Sequence, residues 1–120
     1  MPVARRLGMG LVVWSPLAGG ALTGKYDGGV PERSRGATTK WLDGYLTDEN
    51  RAKLRRFGAI ARELSCTPAQ LALAWCLLRP EVASVITGAT KPEHVDENCG
   101  AVQVNVPPDV RRALDSLFPR

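Results

Sequence analysis

Hydrophobic and polar residues change period several times along the chain, and each change marks an element. Residues 1–7 read as the end of a helix, with Arg5 and Arg6 in its last turn and Gly8 as its stop. Gly10–Trp14 is a continuous apolar run with two valines, the pattern of a short strand buried on both faces. From Ala18 to Leu46 the chain is rich in Gly, Pro, Ser and Thr and holds no period. A loop that long is more often functional than not. Leu54, Phe57, Ala61 and Leu64 then recur at helical spacing behind Thr47 as N-cap, with Asp48 and Glu49 suited to the positive helix end. This amphipathic helix is expected to end near Ser65, with Gly58 as a weak point.

The next segment carries stronger punctuation. In TPAQ, Thr67 is an N-cap, Pro68 the first helical residue and Gln70 the closing residue of a capping box. LALAWCLL is apolar nearly all round, so the helix must be enclosed by several neighbours, with Trp75 as a core residue. Val82–Thr87 reads as the second strand, and Thr90 with Glu93 as a second capping box for the helix that follows directly. A last helix occupies Val106–Phe118, starting at Pro107 or Pro108. Strands alternating with helices mean crossover connections and a parallel α/β sheet. Two strands do not complete such a sheet, so the chain reads as part of something larger.

Composition narrows the class. With 120 residues, 44% hydrophobic and 23% charged, the chain has the balance of one ordinary globular unit rather than of a disordered segment. No apolar run approaches the roughly 18 residues of a membrane span, and a cytoplasmic location is the expectation. Cys66, Cys76 and Cys99 are odd in number and lack CxxC spacing, which argues against a disulfide framework or a zinc site and for small core residues. Residues 1–40 hold six Lys or Arg against two acids, which is the whole net charge of +4. Basic residues beside a glycine-rich loop suit an anionic ligand, although a solvated face is the commoner meaning of such a cluster. Nucleic acid is not expected, because no aromatic residues alternate with these charges.

Ligands of parallel α/β folds gather at the carboxyl ends of strands. After the first strand, Trp14 offers a ring face, Ser15 a hydroxyl, and Ala18, Gly19 and Gly20 a path with little side-chain bulk. A core tryptophan followed by a proline turn explains the same residues. After the second, TGATKPEH supplies Gly88 for close backbone approach, the Thr90 hydroxyl and the N-terminus of a helix, where an anion is favoured. A plain helix cap accounts for Thr90 and Glu93 without any ligand. Lys25, Arg33 and Arg35 are usable phosphate clamps or solvated charge. Neither His94, the only histidine, nor Tyr26 or Tyr45 has an evident partner for acid–base chemistry.

Together, GLVVWSPLAGGALTGKY, GGVPERSR, TPAQLALAWCL and SVITGATKPEHVDENCGAV resemble the C-terminal third of an aldo-keto reductase, in the branch that contains the potassium-channel β-subunits and related bacterial reductases. The resemblance implies part of a (β/α)8 TIM barrel, with Gly10–Trp14 as strand seven and Val82–Thr87 as strand eight. It implies binding of NADP(H) and a parent reaction that reduces aldehydes and ketones. Trp14 matches the position that stacks on the nicotinamide, Ser15, Pro16, Leu17, Ala18 and Gly19 the segment along the diphosphate, and Lys25 and Arg35 the loop folded over the cofactor. Gly88, Thr90, His94, Glu97 and Asn98 match the adenosine end, with Thr90 at the 2′-phosphate and Glu97 and Asn98 at the adenine. His94 departs from the Gln or Arg usual there, and a histidine at a phosphate would tune affinity near neutral pH.

The resemblance also implies what is missing. The catalytic Asp, Tyr, Lys and His of the family belong to earlier strands, and no residue of this chain matches them. Met1 falls where the family continues from the helix before strand seven, so an internal methionine is implied, and the chain alone is expected to be inactive. A non-catalytic regulatory module and a remnant unable to fold, with two exposed strand edges, are the rival expectations.

Overall fold

The computed structural model describes residues 1–32 and 34–119, Arg35 and Trp41 by backbone alone. Its helices are α1 (Pro2–Arg6), α2 (Arg35–Thr38), α3 (Asp48–Glu63), α4 (Pro68–Leu77), α5 (Pro92–Gly100) and α6 (Pro108–Leu117). Its strands are β1 (Leu11–Trp14) and β2 (Val82–Ile86), paired in parallel. A parallel pair needs a crossover, and the segment containing α3 and α4 supplies it.

Helix α4 is the hub. Its capping box forms as expected: the Gln70 N–H donates to Thr67 Oγ1 at 3.1 Å and the Thr67 N–H donates back to Gln70 Oε1 at 3.1 Å. Leu71, Ala72 and Ala74 then pack with Phe57, Ile60 and Ala61 of α3 and with Val106 and Leu114. The face expected of α3 is largely the buried one, with Leu64 only partly covered. Trp75 is partly rather than fully enclosed, because its indole N–H reaches out to Asp115 Oδ1 at 3.1 Å while its ring meets Phe118. Arg79 donates to the same carboxylate at 2.7 Å.

Four expectations need correction. Strand β1 is covered on one face only: Leu11 and Val13 are half-buried, while Val12 and Trp14 are 61% and 79% exposed. The sheet has two strands and its helices lie on one side, so Ile86, the register partner of Trp14, shares the uncovered face. Secondly, Thr90 and Glu93 form no capping box. Pro92 sits at the first helical position and bars the preceding residue from helical angles, so Lys91 is extended (φ −143°, ψ 150°) and becomes the N-cap without a side-chain bond. The start of the helix moves one residue beyond Thr90. Thirdly, Cys66 and Cys76 are half-buried and Cys99 is exposed, because α5 buries none of its residues completely. Burial pushes the thiols of Cys66 and Cys76 up from their ordinary value. Fourthly, the 18–46 segment is not featureless: it contains 3-10 turns at Ala18–Thr23 and Lys40–Leu42 and closes over the fully buried Leu42 and Tyr26.

Asp115 generates a pH dependence with a definite sign. Its hydrogen bond from Arg79 holds the carboxyl below the ordinary value; partial desolvation opposes this, while the Trp75 indole and the Arg79 and Arg111 charges reinforce it. A depressed native pKa adds stability above the unfolded value, lost as pH falls through the native one. The Asp115 side chain is 37% exposed, so screening keeps the effect small. Asp115→Asn should therefore cost about 1 kcal/mol at pH 7 in urea unfolding. The gap to wild type should narrow below the ordinary carboxyl value of 3.8. The two threonines separate in the same assay: Thr67→Ala should cost about 1 kcal/mol through the lost cap, and Thr90→Ala no more than about 0.5 kcal/mol as an exposed substitution.

Candidate functional site

Parallel pairing brings the two candidate segments to one edge of the sheet. Trp14 pairs with Ile86, so the chain leaves β1 at Ser15 and leaves β2 at Thr87 side by side. Within these 120 residues the Trp14 ring is exposed rather than packed in the core. The backbone then turns sharply, with positive φ at Ser15 (56°), Ala18 (47°), Gly19 (65°) and Gly20 (101°). For Ser15 and Ala18 this conformation is strained, and such strain gathers where a segment is held for a ligand. Pro16 and Leu17 are half-buried, Leu17 against the helical core, which anchors the turn.

The loop returns a cation to this corner. A methyl group built on Gly20 would lie 2.5 Å from Lys25 Nζ, so the ammonium rests against the glycine backbone. The same ammonium stands 5.0 Å from the centroid of the Tyr26 ring. Tyr26 is 1% exposed and its phenolic oxygen accepts the Gly36 N–H at 3.0 Å. Burial pushes this phenol up, but the Gly36 N–H, the Ser34 hydroxyl and the Lys25 charge together hold it below its ordinary value. Arg51 of α3 donates to the Tyr26 carbonyl at 2.9 Å and to the Leu46 carbonyl at 3.1 Å, tying both ends of the loop to one helix. Arg33 and the Arg35 side chain, the other clamps expected here, lie outside the described residues.

At the end of β2, Gly88 has nothing within 4 Å of where a side chain would begin, and Thr90 is exposed. Thr90 Oγ1 lies 3.5 Å from His94 Nδ1, which places hydroxyl and imidazole together at the start of α5. Because no side chain caps α5, the plain-cap explanation of Thr90 fails. Glu97 and Asn98 are half-buried one turn further along. Gln70 donates through Nε2 to the Glu97 carbonyl at 3.1 Å, docking α5 on the start of α4. Sequence reasoning found Gln70 as a capping residue and missed this second role, as it missed the burial of Tyr26 and the grip of Arg51.

The opposite end of the sheet is arranged differently. An open cavity of about 430 Å³ is lined there by Arg5, Arg6, Arg79, Glu81 and Arg111 among others. Arg5 pairs with buried Glu81 at 2.7 Å and Arg79 with Asp115, so much of this charge joins elements to one another. It lies by the amino ends of the strands, away from the end that parallel sheets use for ligands. Among the described residues no three His, Cys, Asp or Glu side chains gather to hold a metal, and no helix is long and apolar enough to cross a membrane.

The family model described as "Aldo/keto reductase family" matches residues 1–118. A curated relative, the "Putative voltage-gated potassium channel subunit beta" of Schizosaccharomyces pombe, is 43% identical over 125 residues, covering 98% of this chain. The chain spans 36% of that relative's length. With a family match over residues 1–118 and a 43% identical relative covering 98% of its length, the chain belongs to the aldo/keto reductase family.

Proposed function

We infer that residues 1–120 form the C-terminal, NADP(H)-binding part of an aldo-keto reductase domain, with β1 and β2 as strands seven and eight of a (β/α)8 barrel. One observation carries this reading: an exposed Trp14 ring and an uncapped α5 N-terminus stand at adjacent strand ends, joined by a corner of small residues. A dinucleotide asks for that sequence of surfaces. Trp14 would stack on the nicotinamide. Ser15, Pro16, Leu17, Ala18 and Gly19 would lie along the diphosphate, with Lys25 and Arg35 as its counter-charges. Gly88 leaves room at the adenosine end, where Thr90 and His94 would meet the 2′-phosphate and Glu97 and Asn98 the adenine.

When bound, the cofactor supplies a hydride, and carbonyl reduction needs a proton donor as well. Tyr26 does not serve, since its phenol is buried and held by the Gly36 N–H. The parent reaction, reduction of aldehydes or ketones, is therefore assigned to the whole family domain and not to these residues alone. A second reading is a cofactor-binding or regulatory module without catalysis, favoured by the similarity to a relative named as a channel β-subunit.

Titration of the purified chain with NADPH, followed by tryptophan fluorescence with circular dichroism on the same sample, tests the reading. Saturable quenching of a folded protein is expected, with Trp14→Ala weakening affinity about five- to 150-fold, since stacking on an aromatic contributes about 1–3 kcal/mol. A folded chain that shows no saturable quenching would overturn it.

A further inference from the structure

The structure sets the Lys25 ammonium against Gly20 and over the face of Tyr26. Ordering a long side chain costs rotamer entropy, so a lysine placed ahead of its ligand needs a holder. The ring of Tyr26 is that holder, because its own position is over-determined. It is buried at 1% exposure, its oxygen takes the Gly36 N–H and its carbonyl takes Arg51. Gly36 approaches so closely that an added methyl would stand 2.8 Å from the ring. The ring cannot turn without disturbing α2 and the loop beside Arg35.

Resting on the cofactor reading above, we propose that Tyr26 is the positioning residue of the anion corner: its ring face holds the Lys25 ammonium over Ala18–Gly20, poised for a diphosphate. The cation is thus placed before the ligand arrives, and the entropy of fixing it is met in folding rather than in binding. Tyr26 itself touches no ligand atom. Its effect on binding runs wholly through Lys25 and vanishes when Lys25 is gone.

The test is a double-mutant cycle on the full chain with Tyr26→Leu and Lys25→Gln, titrated with NADPH and, separately, with inorganic pyrophosphate. Each single variant should weaken both ligands about tenfold, and the double variant should bind like Lys25→Gln alone. Independent losses that multiply, a Tyr26→Leu variant that binds like wild type, or a wild type that binds neither probe would overturn the proposal. Pyrophosphate binding with this dependence on Tyr26, but no NADPH binding, would sink the cofactor reading and keep the positioning role. Should Tyr26→Leu fail to fold by circular dichroism, Tyr26→Phe decides. It keeps the ring face, so its affinity should stay within about threefold of wild type. A Phe variant as weak as Lys25→Gln would show that the ring face is not what holds the ammonium.

Discussion

An apolar helix with no polar side has to be enclosed, and α4 imposes that requirement on everything around it. Leu71 is fully buried and Ala69, Ala72, Leu73 and Ala74 nearly so, which demands cover from several directions. Helix α3 covers one flank through Phe57 and Ala61, the C-terminal segment covers another through Val106 and Leu114, and β2 lies beside it. The polar first turn of the same helix has a different task. Gln70 closes the capping box with one end of its amide and holds the Glu97 carbonyl with the other, so the element that organises the core also seats α5.

Around this hub the molecule is asymmetric. Helices cover one face of the sheet and leave Val12, Trp14 and Ile86 open on the other. At the amino ends of the strands, charges are matched across elements, as in Arg5 with Glu81 and Arg79 with Asp115. At the carboxyl ends the Lys25 ammonium lies against a ring and a glycine, and no side chain caps α5. The positive-φ backbone of Ser15 and Ala18 lies at this same end.

Much of the architecture was legible because its causes are local. The Thr67–Gln70 box, the stop at Gly8 and the apolar face of α3 follow from rules acting within a few residues, and each is present. The helix start at Pro92 was equally local. Its proline announced that Lys91 would be extended, and the pairing of Thr90 with Glu93 gave way to that steric rule. The quoted motifs were sufficient to place the family, since four segments in order constrain far more than any one of them.

Exposure was not legible in the same way. An apolar strand says that its residues avoid water, yet whether Trp14 meets a core or open space depends on how many layers pack on the sheet. The loop around Tyr26 carries no period, so nothing near it in the chain announces that its phenol closes on Gly36 or that Arg51 holds its carbonyl 25 residues away. Helix starts, strand order and family therefore came from the order of residues, through short-range sterics and hydrogen bonding. The open ring face, the placed ammonium and the doubly used Gln70 came from folding, because burial and charge depend on neighbours that the chain brings together only in three dimensions.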